Sequence, residues 1–345
     1  MSRWRATASL AGALVGVAAA GAATTLAVRH RHRRTEVARA GEDVPLGSLR
    51  GDARTVVAED GVPIHAEVDE PAADADPSAP TLVFVHGWTL SLDCWHYQRA
   101  GFGDTHRVVV YDHRSHGRSG ASSPEHCTVA RLGGDLAAVI EQVVPTGPIV
   151  LVGHSMGGMT VMSYAQQYPD LFRERVVAVA LIGTSAGDLA RLVPGRRTLL
   201  TRVSPTVGVL VGRVPRAVDV GRRLTGGFGY EATRRFAFGE HPSPAHVAFT
   251  DAMVTQSPAS VFLDFWPLFT TLDMYDVVAA FEDVPTAIIV GTKDAVTPVR
   301  HSHRIAELLP GAELVVCVGA GHMVMLEQHG RVNEAIAAVM DAGTA

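Results

Sequence analysis

Pro148-Ile149-Val150-Leu151-Val152-Gly153-His154-Ser155-Met156-Gly157-Gly158 is the stretch that decides the fold of this chain. A β-branched apolar run stops at Gly153-His154-Ser155-Met156-Gly157, and a segment with helical periodicity begins at once. The pattern reads as strand, sharp turn and helix, with a serine at the apex. Glycines on both sides leave room for a strained turn that larger side chains would block, so the hydroxyl projects above the sheet edge. The pentapeptide alone is weak evidence; its strand-turn-helix surroundings give it weight.

Working outward, further apolar runs without polar alternation lie at Thr81–Val85, 106–111, Val176–Ile182, 284–290 and 312–318. Such runs mark strands buried on both faces, as in a parallel sheet. Two more strands are expected at 55–58 and 62–68, divided by Glu59-Asp60-Gly61, with an exposed Pro-rich loop at 71–80. Helical segments are expected at 128–144, 156–168, 299–309 and 323–341. Strand-helix alternation implies a doubly wound, mostly parallel, eight-stranded α/β sheet with right-handed crossovers. Residues 186–275 break that alternation. They are rich in Arg, Pro and Gly, then in Phe249, Met253, Phe262, Phe265, Trp266 and Phe269, and read as a helical insertion above the sheet. Those side chains form either the insertion's own small core or part of an acyl or aromatic pocket. The organisation expected is therefore 1–34 as a hydrophobic and basic N-terminal segment, 35–53 as linker, 54–185 with 276–345 as α/β core, and 186–275 as insertion.

The chain has 345 residues, 47% of them hydrophobic and 19% charged, which is a globular composition with enough length for a deep core. A net charge of −5 offers no electrostatic footprint for nucleic acid. Cys94, Cys127 and Cys317 are widely spaced with no C-x-x-C pair, so reduced, packed thiols are expected rather than disulfides or zinc. No nucleotide loop or metal constellation is present, and no cofactor is expected.

The N-terminus differs in kind. Residues 6–28 are uncharged, long enough to span a bilayer, and lead into Arg29-His30-Arg31-His32-Arg33-Arg34. Three readings compete: a membrane anchor, a cleaved export signal and a helix packed on the protein. The excess of Lys and Arg after the span favours a single anchor with the remaining chain cytoplasmic, export being the alternative.

A serine hydroxyl needs a base to take its proton, and the base needs an orienting carboxylate. His322, in Gly319-Ala320-Gly321-His322, follows the last strand and precedes the last helix, at the sheet edge where the Ser155 turn lies. His301, His303 and His329 fall within helices and are expected at the surface. Asp294, in Gly291-Thr292-Lys293-Asp294, follows the preceding strand; Asp188, after the strand ending at Ile182, is the alternative acid. Oxyanion donors should be the backbone N–H of Met156 and of Trp88, in the loop after the strand Thr81–Val85.

Together, His86-Gly87-Trp88, Asp112-His113-Arg114-Ser115-His116-Gly117-Arg118-Ser119, Gly153–Gly157, Gly291–Asp294 and Gly321-His322 resemble the α/β-hydrolase superfamily over roughly residues 54–340. The resemblance implies that fold, with the insertion as its cap domain. It implies nucleophile, acid and base roles for Ser155, Asp294 and His322, and oxyanion-hole roles for Trp88 and Met156. The Asp112/Arg114 segment resembles a structural turn. Ser115 departs from the family, which usually has Gly there. Relatives with Asp at the nucleophile position, such as epoxide hydrolases and haloalkane dehalogenases, are disfavoured by Ser155. The expectation is an esterase-like or lipase-like serine hydrolase acting on an apolar acyl ester. C–C bond hydrolysis, peracid chemistry and amide cleavage share every motif, and a non-catalytic binding role is a third reading.

Overall fold

Continuous β-branched runs become buried strands because side chains on both faces find apolar partners. In the computed structural model, residues 44–189 and 226–345 are described. Eight strands form one sheet: β1 (Asp52–Val57), β2 (Pro63–Asp69), β3 (Thr81–Val85), β4 (Val108–Tyr111), β5 (Ile149–His154), β6 (Val176–Ile182), β7 (Thr286–Gly291) and β8 (Glu313–Cys317). Their spatial order is β1-β2-β4-β3-β5-β6-β7-β8. β1 pairs antiparallel with β2, and β2 with β4; every other pairing is parallel. All residues of β3, β4, β5 and β7 are buried. This is the doubly wound, mostly parallel architecture expected.

Helices cover both faces. They are α1 (His96–Phe102), α2 (Val129–Val143), α3 (Met156–Gln167), α4 (Pro169–Arg175), α5 (Gly226–Ala237), α6 (Pro244–Gln256), α7 (Ala259–Asp264), α8 (Trp266–Thr271), α9 (Arg300–Leu308), α10 (Val324–Glu327) and α11 (His329–Thr344). One core packs α2, α3 and α9 on the sheet with Val83, Val85 and Leu151; the other packs α1 and α11 on Phe84, Val152 and Ile289. The Thr128 side chain accepts from the Arg131 N–H and starts α2.

Two local features depart from expectation. α1 and α4 were not anticipated; Pro169 ends α3 and sits in the first turn of α4, where its missing N–H costs nothing. The segment at 323–341 is not one helix. Gln328, with φ −131° and ψ 48°, separates α10 from α11. Ser115 stands where glycine would be comfortable, at φ 64°. Its hydroxyl accepts from the Ser122 N–H at 2.9 Å, which offsets part of that strain.

The described part of the insertion carries four helices, α5–α8, joined by short connections. Its two ends lie side by side: Gly187 bridges Asp273, and the Met274 N–H donates to the Ala186 carbonyl at 2.7 Å. The expected N-terminal segment 1–34, with its apolar span at 6–28, lies outside the described residues. Among those described, no helix is long and apolar enough to cross a membrane. Cys94, Cys127 and Cys317 are all free and buried.

β5 meets α3 with only Ser155 between them, which brings α3 hard against β3. A Cβ built on Gly157 would lie 1.9 Å from the Val85 carbonyl oxygen. Gly157→Ala should therefore destabilise the fold by about 3 kcal/mol, the upper end of overpacking costs, read as a lowered urea midpoint at constant m-value.

Candidate active site

Ser155 occupies the apex with φ 54° and ψ −118°, a backbone state that costs a non-glycine residue on the order of 1–3 kcal/mol. The surroundings hold it there. Its N–H donates to the Ile182 carbonyl at 2.9 Å, and its own carbonyl accepts from Thr184 Oγ1 at 2.7 Å. The side chain is almost fully enclosed, at 6% exposure.

Asp294 and His322 come from the loops after β7 and β8, and they meet. His322 Nδ1 lies 2.8 Å from Asp294 Oδ2. With Asp294 ionised, Nδ1 carries the proton and donates it, leaving Nε2 as the basic atom. Asp294 is itself fixed. Its Oδ1 accepts from the Val296 and Thr297 N–H groups at 2.8 and 2.7 Å, and Oδ2 accepts from Thr297 Oγ1 at 2.9 Å. Thr297 escaped sequence reasoning, although a hydroxyl three residues after a loop aspartate is an ordinary capping signal. Asp188, the alternative acid, is exposed at φ 61°, and Asp294 holds the imidazole. Ser155 Oγ and His322 Nε2 form no hydrogen bond in this resting geometry; such contacts commonly tighten only when substrate binds.

The expected oxyanion donors are open. Met156 is the first residue of α3, so its N–H has no intrahelical acceptor. The Trp88 N–H serves no hydrogen bond among the described residues. The loop carrying Trp88 presses on the serine turn: a Cβ on Gly87 would be 3.1 Å from Ser155 Cβ. The Trp88 indole N–H donates to the Val261 carbonyl of α7 at 3.0 Å. Its ring lies 5.2 Å from Phe262, 6.4 Å from Trp266 and 5.0 Å from Phe269. Phe249, Met253 and Phe265 are buried within the packed cores instead.

Behind this loop stand four buried histidines that sequence reasoning passed over. His86 Nδ1 donates to the Gly87 carbonyl at 2.7 Å and Nε2 accepts the His113 N–H at 3.0 Å. His113 Nε2 returns a bond to the His86 carbonyl at 2.9 Å. His116 Nδ1 donates to the Arg114 carbonyl at 2.9 Å, and His154 Nε2 to the His322 carbonyl at 3.0 Å. Burial disfavours the imidazolium in each. It drives His113 down to about 3 and His116 to about 4, with His86 and His154 also well below the ordinary value. These rings are neutral scaffold. One expectation is corrected: His301, expected at the surface, is buried, with Nδ1 2.8 Å from Ser185 Oγ, whereas His303 and His329 are exposed. The helical pattern placed it on α9 correctly, but the packed face of that helix is set by tertiary contacts.

The depressed histidines make stability depend on pH with a definite sign. Below pH 6.5 the unfolded chain binds protons that the folded rings refuse, so stability is full above 6.5 and is lost as pH falls toward about 4 and then about 3. The slope per histidine is about 1.4 kcal/mol per pH unit. His116→Asn keeps an N–H for the Arg114 carbonyl and removes one titrating ring. It should flatten the fall of Tm between pH 6.5 and 4, measured by calorimetry; an unchanged slope would show that His116 takes up a proton while folded.

Comparison with known proteins bears on the family and the fold. A family model described as alpha/beta hydrolase fold matches residues 80–328. An uncharacterized protein of Mycobacterium tuberculosis is 28% identical over 283 residues, covering 76% of each chain. The 3-oxoadipate enol-lactonase 2 of Acinetobacter baylyi is 26% identical over 264 residues, covering 76% of this chain and 88% of its own. Among solved structures, a thermophilic esterase from Thermogutta terrifontis superposes with a TM-score of 0.65 at 24% identity, covering 85% of this chain and 99% of that one; this likeness bears on fold alone. With the family model spanning most of its length, the chain belongs to the α/β-hydrolase family.

Proposed function

We propose that this chain is a serine hydrolase that cleaves carboxylic esters through an acyl-enzyme on Ser155. The observation that carries the reading is the 2.8 Å contact between His322 Nδ1 and Asp294 Oδ2, beside a strained serine turn flanked by two open N–H groups. In the first half-reaction Ser155 Oγ attacks the acyl carbon while His322 Nε2 takes the hydroxyl proton. The Trp88 and Met156 N–H groups stabilise the oxyanion, each donor contributing roughly 3–4 kcal/mol to the barrier reduction. Collapse expels the alcohol, which receives the proton from His322. Water then attacks the acyl-enzyme by the same route, with Asp294 stabilising the imidazolium throughout.

The aromatic rings of Phe262, Trp266 and Phe269 around Trp88 support an apolar acyl group. The enol-lactonase name of the A. baylyi relative fits the same class, because a lactone is a cyclic ester. Membrane attachment through residues 6–28 belongs to the same proposal. Fractionation of cells expressing the full chain and a chain lacking residues 1–34 tests it, and equal recovery of both in the soluble fraction would refute it.

Ser155→Ala should lower kcat on p-nitrophenyl esters by about 10⁶, as loss of a triad serine does. Asp294→Asn should lower it by about 10⁴, because the imidazole loses its tautomer and orientation. A fluorophosphonate probe should label wild type and not Ser155→Ala. Retained turnover in Ser155→Ala sinks the mechanism, and absence of labelling in wild type would favour a binding role.

A further inference from the structure

The loop that carries His322 is sewn to the connection between α5 and α6 of the cap. That connection runs from Ala237, the last residue of α5, through residue 240, and residues 319–323 contain His322. The Met323 N–H donates to the Ala237 carbonyl at 2.9 Å, and the Glu240 N–H to the Gly319 carbonyl at 3.0 Å. The approach is so close that a Cβ on Gly239 would lie 1.9 Å from the Gly319 oxygen. One side chain closes the seam. Glu327, at the end of α10, accepts the Gly321 N–H on Oε1 at 2.7 Å and the Gly239 N–H on Oε2 at 2.9 Å.

Both oxygens of this partly buried carboxylate are thus committed to backbone donors on two different segments. Charge-assisted bonds of this kind are roughly twice as strong as neutral ones. Gly321 immediately precedes His322, so its N–H anchors the backbone from which the imidazole hangs. On the other side, His322 Nδ1 must stay within hydrogen-bond reach of Asp294 Oδ2, 2.8 Å away. A shift of the loop by an ångström would break the alignment of hydroxyl, imidazole and carboxylate.

We propose that Glu327 is a positioning residue: its carboxylate locks the His322 loop and the α5–α6 connection of the cap into one register, so that seating of the cap and orientation of the base are coupled through a single side chain. The proposal rests on His322 being the general base. Glu327 touches no reacting atom in this scheme. It acts through Gly321 on one side and Gly239 on the other.

The test uses Glu327→Gln and Glu327→Asp in the full chain, with p-nitrophenyl butyrate as substrate. Gln is isosteric but offers one acceptor and one NH₂, so one backbone N–H faces a donor. In E327Q, kcat should fall on the order of 100-fold, as for a 1 Å misplacement of a catalytic group, while KM moves by no more than about threefold. The low-field proton resonance of His322 Nδ1–H should shift or broaden, and the Gly239 and Gly321 amides should exchange faster. E327D keeps the charge but withdraws it from one amide, and should recover part of kcat. If E327Q fails to fold, folded E327D carries the same test against wild type, with a smaller fall in kcat. Unchanged amide protection overturns the brace itself. Faster exchange with kcat and the low-field resonance intact, while His322→Ala is inactive, overturns the positioning role. Faster exchange with full turnover in His322→Ala as well instead refutes the assignment of His322 as base, and the proposal falls with it.

Discussion

A strand that becomes a helix with one residue between them is the constraint on which the rest of this molecule depends. Ser155 must adopt a positive φ, and α3 must then pass so near β3 that Gly157 has no room for a side chain. The strain is on the order of 1–3 kcal/mol, and it is held by bonds on both sides of the peptide, from Ile182 and Thr184. What the strain provides is direction. The hydroxyl stands at the carboxyl edge of the sheet, and the first N–H of α3 is left without an internal acceptor beside it.

Charge in the surrounding shell is sharply allocated. Four buried histidines that could have competed as bases are kept neutral by desolvation, and their protons are spent on the carbonyls of Gly87, His86, Arg114 and His322. Asp294, by contrast, accepts four hydrogen bonds, which fix its carboxyl group beside His322. Arg114 performs a similar service at a distance. It pairs with Asp135 at 2.6 Å and Asp60 at 2.8 Å, which pins the turn carrying His113 and His116.

Among the described residues, side-chain hydrogen bonds tie the helical insertion to this centre: Trp88 joins its own loop to α7 through the Val261 carbonyl, and Glu327 joins the His322 loop to residue 239. The helices of the insertion and the loops carrying Trp88 and His322 therefore share hydrogen bonds, and are more than stacked apolar faces. Such bonds transmit displacement, since a backbone N–H has one acceptor or none.

Much of the fold was legible in the amino-acid sequence, because its signals are local. Continuous apolar runs announced buried strands, and the glycines around Ser155 announced a tight turn, although the close approach that Gly157 permits is to Val85, far off in the chain. Loop position after a strand also anticipated that Asp294 and His322 would meet, since the parallel strands of a doubly wound sheet deliver their following loops to the same edge. What only the tertiary structure decided are pairings across long stretches of chain. Trp88 and Val261 are 173 residues apart, and His154 donates to a carbonyl 168 residues away. No periodicity reports such partners, so His301 was misplaced on the surface and Glu327 went unnoticed. A lone carboxylate closing the apolar run Met323-Val324-Met325-Leu326 was the one visible hint. Helical period says that a side chain lies on a face, but which face is buried depends on what the crossover connections bring against it.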